Sequence, residues 1–93
     1  MPPPYRVDLT RAAARDLRAL ARRPPDQATL PQLTATIAAL AADPRPPCCL
    51  KLQGSEFWRV AVEDYRIIYE IADEPPVVTV ARIRHRREVY RDL

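Results

Sequence analysis

The side chains with the most chemical capacity gather at the end of the chain, where Ile83–Leu93 reads IRHRREVYRDL. Residues 82–91 hold five arginines (Arg82, Arg84, Arg86, Arg87 and Arg91) and His85 against one carboxylate, Glu88. Two further arginines, Arg59 in WRVAV and Arg66 in DYRII, stand in segments that alternate apolar and polar residues. A guanidinium is planar, permanently charged and shaped for forked contacts with phosphate oxygens. Several on one surface favour a polyanion such as RNA. Tyr90 adds a phenol that can orient or accept a proton. The bland alternative is a solvated face on which these arginines pair with Glu63, Asp64, Glu70 and Glu88, since surface charge is mostly idle. In that alternative Tyr90 packs its ring and His85 is an ordinary surface histidine. Residue types alone leave both open.

Composition narrows the setting. Ninety-three residues suffice for one domain with one modest core, and an apolar fraction of 47% argues against disorder. The net charge is +3, and all but one of the fifteen basic residues are arginine, Lys51 being the exception. No apolar run approaches the ~20 residues that span a bilayer, and Met1–Arg6 lacks the apolar segment of a signal peptide. A cytoplasmic protein with no membrane contact is expected. Cys48 and Cys49 are adjacent, a spacing that strains a disulfide, so inert thiols are expected. With His85 as the single histidine, there is no quartet for a metal. Neither metal nor cofactor is expected.

These arginines must be positioned by the elements around them. Tyr5–Leu9 alternates as a short strand. Thr10 can cap a helix in which Ala13, Leu17, Leu20 and Ala21 recur at helical spacing, with Arg11, Arg15, Arg18 and Arg22 outward. Pro24-Pro25 ends it. Leu30, Leu33, Ile37, Leu40 and Ala41 form the stripe of a second helix with Pro31 in its first turn, stopped by Asp43–Pro47. From Leu50 the period changes to two. Trp58, Val60 and Val62 share one strand face, Glu63-Asp64 makes a tight turn, and Tyr65, Ile67, Tyr69 and Ile71 alternate with Arg66, Ile68 and Glu70. Asp73–Pro76 turns into a last strand over Val77–Ile83. The expected fold is α+β: an N-terminal strand and a helical hairpin packed on an antiparallel β-meander, closed by a short C-terminal helix or segment, all in a single domain over residues 1–93. Alternation then puts Arg59, Arg66, Arg82 and Arg84 on the sheet face away from the core.

Lys51–Gly54 (KLQG), Trp58–Ile71 (WRVAVEDYRIIYEI) and Ile83–Leu93, in this order after a helical hairpin, resemble the RelE/ParE superfamily of bacterial toxins, the RelE branch in particular. The resemblance covers nearly the whole chain. It implies a RelE-like, microbial-RNase-like fold and a toxin of a type II toxin–antitoxin pair that cuts mRNA in the ribosomal A site; the ParE branch instead poisons DNA gyrase. Carried over position by position, it implies Arg59, Arg66, Arg86 and Tyr90 as catalytic residues, with Arg84 the alternative to Arg86 under a shifted alignment. Lys51, Arg82, Arg84, His85 and Arg87 are expected as RNA contacts beside them. Ala61 stands where the family pattern has a second lysine, and Glu63 where many relatives have glycine.

The implied reaction uses the substrate's own 2′-hydroxyl against the adjacent phosphate, so pre-placed arginines are the main catalytic asset. Implied partners are the ribosome, mRNA and a RelB-like antitoxin that wraps the toxin. An amphipathic antitoxin helix is expected to wrap the region near the helical hairpin and the sheet edge, where the first helix offers Ala12, Ala13, Leu17 and Leu20, and either to supply carboxylates to Arg59, Arg66 and Arg86 or to displace Arg87–Leu93. Gyrase inhibition and a catalytically weak binding relative are the alternatives.

Overall fold

The computed structural model describes residues 4–88; the closing Val89–Leu93, and with it the expectation for Tyr90, lies outside the described residues. Strand β1 (Arg6–Leu9) is followed by helix α1 (Arg11–Ala21). The Thr10 hydroxyl caps that helix by accepting from the Ala13 N–H at 3.0 Å. Pro24-Pro25 do more than end α1: they open a four-residue helix, α2 (Pro24–Gln27). Proline suits a first helical turn, where its missing N–H has no intrahelical acceptor. Helix α3 (Leu30–Ala39) also has proline in its first turn.

The sheet then runs β2 (Leu50–Lys51), β3 (Trp58–Val62), β4 (Tyr65–Asp73) and β5 (Pro76–His85). Its spatial order is β1-β5-β4-β3-β2. The meander β3-β4-β5 is antiparallel, and β2 joins β3 in the same sense. β1 adds itself to β5 in parallel, with Arg6 opposite Val77 and Leu9 opposite Val80. The α+β architecture expected from the sequence is present, with this parallel edge strand completing the sheet.

One core lies between the sheet and the helices. Ala13 and Leu20 of α1, Leu33 and Ile37 of α3, and Leu40 beyond it meet Val60, Val62, Tyr65, Ile67, Tyr69, Val78, Val80 and Ile83. The α1 stripe expected to receive an antitoxin helix is therefore largely occupied: Ala13 and Leu20 are buried and Leu17 packs on the same cluster. Burying its own apolar face is what holds α1 to the sheet.

A bulge in β5 sets which side chains leave the core. Tyr69 pairs with Val80 but Ile68 pairs with Arg82, so Ala81 is the extra residue. Strand side chains alternate with period two, and an inserted residue reverses the alternation. Val78, Val80 and Ile83 thus all face the helices, and Arg82 and Arg84 do not displace them. On the opposite face, Leu52 and Ile68 are buried with Phe57 packed against them, beneath the loop that joins β2 to β3.

At the far end of the sheet, the Tyr5 hydroxyl donates to Asp73 at 2.6 Å and Arg45 reaches the same carboxylate at 3.4 Å. The Arg45 guanidinium also lies over the Trp58 ring, 5.4 Å from its centre. These contacts fasten the N-terminal segment and the α3–β2 connection to β3 and β4.

Candidate active site

The arginines assemble around the β3–β4 turn. Arg66 and Arg84 are direct cross-strand partners on the sheet face opposite the core. Like charges directly opposed on one face disfavour pairing by a few tenths to ~1 kcal/mol, so their juxtaposition is a cost the fold carries. Two local arrangements offset it. Arg66 curls back to the turn, where Nη1 donates to the carbonyl oxygens of Glu63 (3.1 Å) and Tyr65 (2.9 Å). Both bonds use Nη1, which leaves the fork of Nε and Nη2 for a phosphate. Arg84 Nη1 lies 3.6 Å from the Glu88 carboxylate, and its side chain is only 11% exposed.

The turn needs a left-handed residue, and Glu63 supplies it with φ of 52°. Non-glycine residues adopt this region at a cost of roughly 1–2 kcal/mol, which accounts for glycine's suitability at such a position. The turn also anchors the segment leaving β5. The Arg86 N–H donates to the Asp64 carbonyl at 2.7 Å, and its side-chain Nε lies 3.8 Å from the Asp64 carboxylate. Arg86 is 55% exposed there, so the ion pair is weak and its guanidinium can exchange Asp64 for a phosphate. Arg66, Arg84 and Arg86 therefore meet at one end of the sheet.

Arg59 shares that face from β3 but at a different register. It stands opposite Ile68 on one side and Leu50 on the other, while Ala61 is the direct partner of Arg66. The position that would link Arg59 to Arg66 along the strand is thus an alanine, and the positive surface is interrupted there.

Other residues expected to contact RNA are placed differently. Arg82 makes a two-pronged ion pair with Asp16 of α1, Nε at 2.9 Å and Nη2 at 3.1 Å. Asp16 also accepts the Ile83 backbone N–H at 2.9 Å. This carboxylate thus closes the edge of β5 beyond the end of β1, helped by the Thr10 hydroxyl donating to the Ala81 carbonyl at 2.7 Å. His85 pairs with Tyr65 and so projects to the helix side, away from Arg66 and Arg84. Its ring meets Tyr65 edge-on at 5.5 Å, and its Nδ1 accepts the Arg87 N–H at 3.2 Å. A cavity of about 210 Å³ there is lined by Asp16, Arg23, Tyr65, His85 and Glu88 among others. Lys51 is opposite Trp58, which sends its side chain off the other face from Arg59. Arg87 is exposed in the closing turn.

None of the described tyrosines is shifted toward its phenolate form. Its hydrogen bond to Asp73 pushes the Tyr5 hydroxyl up, and burial pushes up those of Tyr65 and Tyr69. Each is held in the phenol form. Asp16 and Leu50 were not expected to matter; Asp64 and Glu88 were legible only as generic counter-charges.

The profile described as "ParE toxin of type II toxin-antitoxin system, parDE" matches residues 7–90. No curated protein sequence matches the chain. Among solved structures, the toxin–antitoxin complex RelBE2 from Mycobacterium tuberculosis is 27% identical with a TM-score of 0.71, covering 88% of this chain and 98% of that one. The archaeal RelE–RelB complex from Pyrococcus horikoshii shares the fold at 23% identity and a TM-score of 0.72, with 88% and 94% covered. So does the DinJ–YafQ complex of E. coli at 19% identity and 0.72, with 92% and 97% covered. A profile match over most of the chain and a common fold agree: the chain belongs to the ParE toxin family, within the RelE/ParE superfamily, and is a toxin of a type II toxin–antitoxin system.

Proposed function

We propose that this toxin is a ribosome-dependent mRNA endoribonuclease acting in the cytoplasm. The observation that carries the reading is the direct opposition of Arg66 and Arg84 on the open sheet face, with Arg86 at the adjoining turn. Opposed guanidiniums make little structural sense and good sense around a phosphate whose transition state gathers negative charge. The 2′-oxygen attacks the neighbouring phosphorus and the P–O5′ bond breaks. A 2′,3′-cyclic phosphate and a free 5′-hydroxyl result. Tyr90 takes or orients the 2′-hydroxyl proton. Arg59 and Arg66 hold the phosphoryl oxygens. Arg86 stabilises the departing 5′-oxygen electrostatically, since a guanidinium pKa above ~12 makes it a poor acid. Arg84 firms the wall behind Arg66. Among the described residues this face presents no row of open aromatic side chains of the kind that stacks free RNA, which is why the ribosome must present the codon. A RelB-like antitoxin that wraps the toxin is the proposed neutralising partner, supported by the toxin–antitoxin complexes among the structures of this fold.

The test is expression in a sensitive host with primer extension on abundant transcripts. Growth arrest with cuts inside translated codons is expected; arrest with intact mRNA would sink the reading. A second reading, gyrase inhibition, is favoured by the ParE description of the family and by Ala61 interrupting the positive surface. Inhibition of supercoiling by purified toxin would support it, and undiminished supercoiling in toxin excess would dismiss it.

A further inference from the structure

A cavity of about 420 Å³ adjoins the arginine face where the β2–β3 loop curls over the sheet, lined by residues 50–55 and Arg59. Leu50 is 54% exposed, one of two large apolar side chains so exposed among the described residues. Its direct cross-strand partner is Arg59, so the two side chains lie next to each other on the face away from the helices. Leu52 is buried against Ile68 and Phe57 and forms a firm floor. The Ser55 hydroxyl is engaged within the loop, donating to the Leu52 carbonyl at 3.0 Å and accepting the Phe57 N–H at 3.1 Å. The loop is therefore held in shape without a ligand. Gly54 has φ of 75° and no atom within 4 Å of where a Cβ would stand, so a ligand can approach the backbone closely. Gln53, exposed on the same loop, offers an amide that both donates and accepts.

An apolar plate, a two-sided amide and one guanidinium are the complement of a single nucleotide. The base packs on Leu50, Gln53 reads its edge, and Arg59 takes its phosphate. An acidic peptide would use Arg59 but leave the two-sided amide unmatched. Arg59 borders both this cavity and the face that carries Arg66. We infer that the cavity holds the base of the nucleotide next to the scissile phosphate of single-stranded RNA, and that Leu50 and Gln53 set base preference. The inference rests on the ribonuclease reading, and it assigns specificity to a loop outside the catalytic arginines.

The measurement is amide chemical-shift mapping of the full-length chain titrated to millimolar concentration with 2′-O-methyl trinucleotides, which cannot be cleaved, in four series that vary one base. Shifts are expected at Leu50–Ser55 and Arg59, unequal among the bases. Gln53→Ala should reduce the preferred binding about three- to tenfold, the scale of one hydrogen bond, and Leu50→Ser should weaken all four series. In cells, Gln53→Ala should redistribute the cut positions. Trinucleotide shifts that spare Leu50–Ser55, or cut positions that Gln53→Ala leaves unchanged, would overturn the inference. If mRNA is still cut in that case, the ribonuclease reading survives by itself; base-selective shifts without any cutting would retain the cavity and refute the reaction.

Discussion

Arg66 shows how one side chain serves structure and function differently. Its bonds to the turn carbonyls are local and partly exposed, while its placement opposite Arg84 is repulsive. Arg66→Ala therefore removes a modest attraction and a modest repulsion together. Unfolding free energy should stay within about 0.5 kcal/mol of the parent. Cleavage of translated mRNA should fall by roughly 10²–10³, the typical cost of one charge-stabilising group. Denaturant unfolding beside single-turnover cutting on programmed ribosomes checks both. A variant that cuts at the parental rate would remove Arg66 from the catalytic set. Arg82 is the instructive contrast. Its sequence neighbourhood is equally basic, yet Asp16 holds it in a two-pronged pair, and its first duty is to the edge of β5.

At the scale of elements, the exposed edge of β5 and the β3–β4 turn determine whether the arginines stay aligned. Asp16→Ala would strip the Ile83 N–H and the Arg82 guanidinium of a shared acceptor. The expected loss is about 1–3 kcal/mol of stability. Amide exchange should accelerate at Ile83 while Val78, buried in β5 between β1 and β4, keeps its protection. Equal acceleration at both positions would mean a global effect and discredit the edge-closing role. The turn predicts the opposite sign. Glu63 occupies a left-handed conformation, and glycine adopts it freely, though at an entropic cost in the unfolded chain. Glu63→Gly should leave a net gain of about 0.5–1 kcal/mol, visible as a raised denaturation midpoint with unchanged slope. The Glu63 carbonyl that holds Arg66 is backbone and is kept. A lowered midpoint would show that the Glu63 side chain contributes more than its conformation costs.

At the scale of the whole molecule, one contribution to acid sensitivity comes from the cluster that ties the N-terminal segment to the sheet. The Tyr5 hydroxyl, and after it Arg45, holds the Asp73 carboxyl below the ordinary carboxylate range. The unfolded chain therefore binds this proton more readily than the folded one. Stabilisation is complete above the ordinary carboxylate pKa and disappears as pH falls through the lowered folded value. Asp73→Asn should unfold at a lower temperature than the parent near neutral pH, and the gap should close as the solution is acidified. A gap that persists unchanged into strong acid would assign the effect to packing. How far such features were legible follows from their range. The Thr10 cap, the proline boundaries, the Glu63-Asp64 turn and the alternation of Trp58–Val62 and Tyr65–Ile71 are encoded within a few residues, because backbone conformation and strand period are local properties. They sufficed to place Arg59, Arg66 and Arg84 on one face. The sequence could not disclose that β1 pairs with β5, that Ala81 bulges to keep Arg82 and Arg84 off the core, or that His85 projects to the other side from Arg66. Nor could it choose Asp16 as the partner of Arg82, 66 residues away. Period-two patterning states which face a side chain takes, whereas strand neighbours, bulges and ion-pair partners are chosen by the shape of the packed sheet and helices, and these exist only once the core has closed.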